Sequence, residues 1–159
     1  MEEKEKSTSF FRFEDLRIYD KAIEYNRWIV NTLKNKQSRA QEKIQDTFVG
    51  ASLAICSNIA EGSYRSKNQF ESYLKVAKAS IRECVVYTSC AYKASMLSQE
   101  DYHKSRELLM ELTKMLGALI ISLQRNNKAS KKELAIFEEQ KDSNVAFDIL
   151  NDDSFSLDF

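Results

Sequence analysis

The sequence predicts an all-α fold, an antiparallel up-down-up-down four-helix bundle, and three observations lead there. Proline is absent and only Gly50, Gly62 and Gly117 interrupt 159 residues, so long helices meet few breakers. Apolar residues recur at spacings of three, four and seven in four successive segments, the period of a helix with one buried side. A serine followed three residues later by Gln or Asp stands ahead of three of them, as in a capping box or its Asp variant.

In the first segment the period is carried by Leu16, Tyr19, Ile23, Val30 and Leu33. Ser38…Gln41 opens the second, where Ile44, Phe48, Ala51, Ile55 and Ile59 mark one face. Val49, Leu53, Cys56 and Ala60 form another stripe about 120° round the wheel, so this helix needs two partners, the core and a further helix or subunit. Ser66…Gln69 opens the third, with Phe70, Leu74, Ala77, Ile81, Cys84, Val85 and Thr88. Gly62 just before it suits a left-handed C-terminal cap. Ser98…Asp101 opens the fourth, with Leu109, Leu112, Leu116, Leu119, Ile120 and Leu123. Helices are expected at about 14–36, 40–61, 67–96 and 99–126, and their short connections force neighbours antiparallel. Residues 1–12 read as a flexible arm, 13–127 as the bundle, and 128–159 as an acidic, mostly disordered tail. Ser130…Glu133 there permits one short further helix.

Charged residues make up 30% and apolar ones 43%, ordinary for a soluble domain. No stretch approaches a membrane span. The charged opening Met1-Glu2-Glu3-Lys4 lacks the apolar block of a signal peptide, so a cytoplasmic location is expected. Cys56, Cys84 and Cys90 show no C-x-x-C spacing and His103 is the sole histidine; neither a metal nor another cofactor is expected. The zero net charge conceals a split. Residues 13–128 carry 18 Lys+Arg against 13 Asp+Glu, net +5, and residues 129–159 carry 3 against 8, net −5. Such a tail can compete with a polyanion for the basic body, or simply keep the protein soluble.

Chemistry concentrates after the second helix. Between Gly62 and Arg82 stand five cations, Arg65, Lys67, Lys75, Lys78 and Arg82, against one anion, Glu71. Lys75, Lys78 and Arg82 fall together on the helical wheel, and such a row suits phosphates, because each one neutralised releases counterions. Tyr64 in the preceding loop can stack on an unpaired base. The plainer reading is a solvated helix face, with Glu71 pairing Lys75. Glu61 faces an unfavourable dipole end that Arg65 can compensate, and Asn58 can hydrogen-bond across a helix interface. A catalytic reading would pair Glu61 with His103, but no spacing gathers a nucleophile, a base and an orienting group, so no enzyme is expected. Trp28, with Tyr25 and Ile29, lies off the first helix's stripe and suits a subunit contact. Cys90 falls opposite the third helix's core centre.

The residues resemble a known family. Phe13-Glu14-Asp15-Leu16, Ile18-Tyr19 and Lys21-Ala22 match its opening motif, and Ser57-Asn58-Ile59-Ala60-Glu61-Gly62 with Arg65-Ser66 its signature. Phe70, Tyr73-Leu74 and Ala77 continue it, as do Lys114-Met115-Leu116, Leu119-Ile120 and Ser122-Leu123. The chain thus resembles the bacterial four-helix-bundle proteins encoded in intervening sequences of 23S ribosomal RNA genes, over about Phe13 to Arg125. Cys56 stands where that family usually has proline, and Val49-Gly50 where arginines are common. Members are similar to accessory proteins of diversity-generating retroelements, which implies a basic pentamer that binds nucleic acid and has no enzymatic activity. The expected function is therefore RNA or DNA binding by a homo-oligomer, with a protein-interaction scaffold as the alternative.

Overall fold

In a computed structural model of the chain, residues 10–33 and 38–150 are described, with backbone alone at residue 130 and residues 133–150. A 3-10 turn, Arg12–Asp15, leads into α1, Arg17–Thr32, followed by α2, Arg39–Ser63, α3, Lys67–Lys93, and α4, Gln99–Leu150. The described residues contain no strand. The chain divides into two compact units, residues 1–123 and 124–159. The first holds the bundle.

The caps follow the side chains that the sequence supplies. Ser38 Oγ accepts from the Gln41 backbone N–H at 3.3 Å, and Ser98 Oγ from that of Asp101 at 3.0 Å. Ser66 and Gln69 form a reciprocal capping box, so orphan donors at these helix starts find partners. After α3 the chain reverses at Ser95, whose φ of 58° lies in the left-handed region. The Ser95 N–H donates to the Tyr92 carbonyl at 3.0 Å and that of Met96 to Ala91 at 2.8 Å, the paired bonds of a Schellman motif.

The core joins Phe48, Ile55 and Ile59 of α2 to Leu74, Ala77, Ile81 and Cys84 of α3 and Leu109, Leu112 and Leu116 of α4. Within it runs a chain of hydroxyls. Tyr25 Oη lies 3.0 Å from Ser105 Oγ, Ser105 Oγ lies 2.7 Å from Thr88 Oγ1, and Thr88 donates to the Cys84 carbonyl at 2.8 Å. Polar atoms from α1, α3 and α4 thereby satisfy one another inside the core.

Four expectations differ. The buried face of α1 is Ile18, Ala22, Tyr25 and Ile29, continued by Leu33, while Ile23 and Val30 lie outside, 40% and 38% exposed. Both sets obey the helical period; Tyr25 decides between them because its hydroxyl has Ser105 as a buried partner. Tyr25 and Ile29 are therefore core residues, not a subunit contact, and Trp28 packs on the core's edge with Lys104 Nζ 5.5 Å from its ring centroid. Gly62 is not a left-handed cap, since no glycine has positive φ; it lies inside α2. The expected break near Asn126-Asn127 is absent from the backbone, and α4 runs to Leu150. No glycine or proline follows Gly117, and two asparagines cost a helix only tenths of a kcal/mol each. Ser130 is accordingly internal to α4. At the N-terminus, Arg12 already belongs to the 3-10 turn, with Phe10 and Phe11 described before it. The remaining arm, Met1–Ser9, and the end, Asn151–Phe159, lie outside the described residues.

Candidate functional site

At the α2–α3 junction the two helices approach so closely that a β-carbon on Gly62 would lie 2.7 Å from both Phe70 Cδ2 and Tyr73 Cβ. Only hydrogen fits there. This contact brings the last turns of α2 against the first turns of α3. The outward residues of the Ser57–Glu61 stretch then face Tyr64 and Tyr73 across an open cleft of about 730 Å³. The 3-10 turn contributes its aromatic side. The Arg12 backbone N–H donates to Tyr64 Oη at 3.3 Å. Phe13 meets Tyr19 edge-on, ring centroids 4.8 Å apart, and Tyr64 edge-on at 6.2 Å. Phe11 stacks on Phe13 at 5.8 Å. Edge-to-face and offset contacts of this kind hold the rings in place, and Tyr64 still exposes 55% of its surface.

Polar groups of the same cleft are held locally. Asn58 Nδ2 donates to the Ala54 carbonyl at 2.7 Å; this bond stays within α2 and does not cross a helix interface as the sequence had suggested. Glu61 Oε1 accepts both Nε and Nη2 of Arg65, the former at 2.9 Å. The carboxylate raises the Arg65 guanidinium's pKa above its usual value, through that hydrogen bond first and through charge second. A second, smaller cleft lined by Arg12, Leu16, Ser63, Arg65 and Lys67 adjoins this end of the bundle, so cations stand beside the aromatic one.

Along α3 the row divides. Lys75 Nζ lies 2.7 Å from Glu71 Oε1, whereas Lys67, Lys78 and Arg82 make no ion pair with any described residue. Lys67 and Arg82 are exposed and Lys78 is half-buried. His103 sits edge-on to Tyr102 at 5.3 Å and lines a different cleft, with Val85 and Met110; it is not brought to Glu61. Burial pushes the Cys56 thiol up to about 11 and the Cys84 thiol up to about 12, so neither is a nucleophile near neutrality. Cys90 is exposed. Among the described residues no three His, Cys, Asp or Glu side chains gather as a metal site, and no helix is long and apolar enough to cross a membrane.

A separate outward groove of about 520 Å³ runs between α1 and α2, lined by Tyr19, Ile23, Gly50, Leu53, Ala54 and Ala60 among others. It arises from the rotated face of α1. The second stripe of α2 supplies Leu53, 49% exposed. Cys56 of that stripe is instead buried, its Sγ 3.6 Å from the Ser52 carbonyl, in an uninterrupted helix. The sequence reading missed the aromatic lining. Phe10, Phe11 and Phe13 form a conspicuous run ahead of the first helix, which was the available signal. What it did not carry was the fold-back onto Tyr64.

Residues 14–118 match a family model described as 23S rRNA-intervening sequence protein. The chain belongs to that family. Among solved structures, it is similar to a protein with unknown function from the S23 ribosomal protein family of Bacteroides thetaiotaomicron VPI-5482. The two are 22% identical with a TM-score of 0.58, over 65% of this chain and 94% of that one, and the likeness establishes the shared helical fold. No curated protein sequence matches the chain. The family's matched span holds the Ser57–Gly62 signature, so the residues that recommend membership also build the wall of the aromatic cleft.

Proposed function

We propose that this family member is a non-enzymatic, sequence-tolerant nucleic-acid-binding protein, with RNA as its first target and a homo-oligomer as its working form. The observation that carries the reading is the set of three cations on α3, Lys67, Lys78 and Arg82, without ion pairs among the described residues, in a body of net charge +5 over residues 13–128. Arg65 and Lys75 extend the set. The exposed Arg65–Glu61 pair is of the i,i+4 kind, worth about 0.3–0.5 kcal/mol, so a phosphate competes for Arg65 at little cost, whereas Lys75 is held by a Glu71 side chain only 15% exposed. The solved neighbour's description as a member of a ribosomal protein family favours RNA over DNA.

Oligomerisation rests on Ile23 and Leu53 in the α1–α2 groove, with Val30, Val76, Val86 and Met110 elsewhere on the surface, all more than a third exposed. An apolar groove on one subunit and exposed apolar side chains elsewhere on the next suit head-to-tail association, which closes into a ring when the rotation allows; the resemblance implies five subunits. The same surfaces support the alternative, a scaffold for other protein chains without nucleic acid.

Salt-titrated gel shift with a single-stranded RNA separates the two. Binding should weaken steeply with salt, and Lys67→Gln/Lys78→Gln/Arg82→Gln should reduce the slope of log K against log salt by about 2, at roughly 0.7 per lost contact on a single strand. An unaltered slope and affinity in the triple variant would rule out this face. Light scattering of wild type and Leu53→Lys tests the assembly, which the charge should break.

A further inference from the structure

The cations explain attraction to a polyanion, yet they leave the aromatic cleft without a use. Its Phe11 and Tyr64 rings are 48% and 55% exposed, at an end of the bundle where Arg65 and Lys67 stand. Exposed rings would by themselves suit an apolar peptide. The polar equipment argues otherwise. Asn58 commits one amide N–H to Ala54, and its amide oxygen accepts from no described residue. Glu61 receives both Arg65 bonds on Oε1, with no described partner at Oε2. Two acceptors thus line a pocket walled by planar rings, an arrangement that complements a flat heterocycle bearing an exocyclic amine. Tyr64 is also fixed beforehand, by the Arg12 N–H at its hydroxyl and by Phe13 at its ring edge, so little freedom remains to be lost on binding.

We infer that the cleft is a nucleobase subsite, taking one unpaired, amine-bearing base of a single strand (adenine, cytosine or guanine rather than uracil), with Tyr64 and Phe11 as stacking faces, Asn58 and Glu61 accepting from the amine, and Arg65 and Lys67 meeting the flanking phosphates. This deepens the proposed function and rests on it. A stacked base is sequence-tolerant because every base has a π-face, and the acceptors add only a preference among bases.

The test uses the full-length protein and a single-stranded RNA 10-mer carrying one 2-aminopurine, beside the same strand with an abasic site there. Binding should quench the fluorophore, and the abasic strand should bind about 10-fold more weakly. Tyr64→Ala should lose 10- to 100-fold in affinity with the salt slope unchanged, and Tyr64→Phe, which keeps the ring, should restore most of it. Circular dichroism would confirm that each variant stays helical, and if Tyr64→Ala does not, Phe11→Ala serves in its place. A strand that binds with the expected salt slope but without quenching, and equally well when abasic, overturns the base subsite while leaving phosphate binding intact. A strand that does not bind at all overturns both.

Discussion

A β-carbon at Gly62 would sit 2.7 Å from Tyr73 Cβ and from the Phe70 ring, a separation real side chains essentially never show. Tyr73 Cβ is anchored to the α3 backbone and cannot turn aside, so Gly62→Ala must push α3 away from α2. The expected cost is that of overpacking a close contact, about 1–3 kcal/mol, read as a lower urea midpoint. By contrast, nothing lies within 4 Å of such an atom at Gly50 or Gly117, so the same substitution there should not destabilise. Ser95 presents the opposite case. Its φ of 58° is strained for a side chain and natural for glycine. Ser95→Gly should therefore stabilise by about 0.5–1 kcal/mol, with the gain visible in the same denaturation experiment.

At the level of helices, the caps were legible because each is a local chemical pattern. Ser38, Ser66 and Ser98 sit at the observed starts. The core faces of α2, α3 and α4 were legible too, because residues of their periodic stripes, Phe48, Ile55 and Ile59, Leu74, Ala77 and Ile81, and Leu109, Leu112 and Leu116, recur in the buried set. The face of α1 was not. Its sequence holds two stripes of equal period, and the choice depends on a hydroxyl partner 80 residues away on α4, which no window of sequence reveals. That dependence is testable. Ser105→Ala removes the atom that both Tyr25 and Thr88 meet. Thr88 keeps its bond to the Cys84 carbonyl, and the buried Tyr25 hydroxyl is left with Thr88 alone, a loss of about 0.5–1.5 kcal/mol. Tyr25→Phe in the Ser105→Ala background should recover part of that loss, since both polar groups are then gone; thermal melts of the three variants form the cycle.

For the molecule as a whole, the buried thiols and phenol set an alkaline limit. Cys56 rises from 9.0 to about 11 and Cys84 from 9.0 to about 12, both chiefly because burial penalises the thiolate. The folded state thus holds these protons more tightly than the unfolded chain, and its advantage is complete below pH 9. As pH climbs from about 9 to 11–12 the unfolded state ionises first, and stability falls. Tyr25, also raised mainly by burial, acts in the same sense. Urea midpoints should be level from pH 7 to 8.5 and decline by pH 10.5, and Cys56→Ala/Cys84→Ala should leave only the smaller decline due to Tyr25; an undiminished decline in that variant would acquit the thiols. The candidate site was half legible at this scale. Its cations and Tyr64 stand in one sequence window, whereas Phe10, Phe11 and Tyr73 join them only through folding, and the glutamates that pair Arg65 and Lys75 are visible as i,i+4 neighbours.

The placement of Phe10 and Phe11 has a practical side. Because both line the aromatic cleft, whatever is fused ahead of Met1 is tethered by nine residues, a reach of at most ~30 Å, to the mouth of the pocket. A polyhistidine handle or fluorescent label installed there stands within reach of the cleft. Titrations belong on cleaved protein, and immobilisation should use Cys90, the exposed thiol of the three.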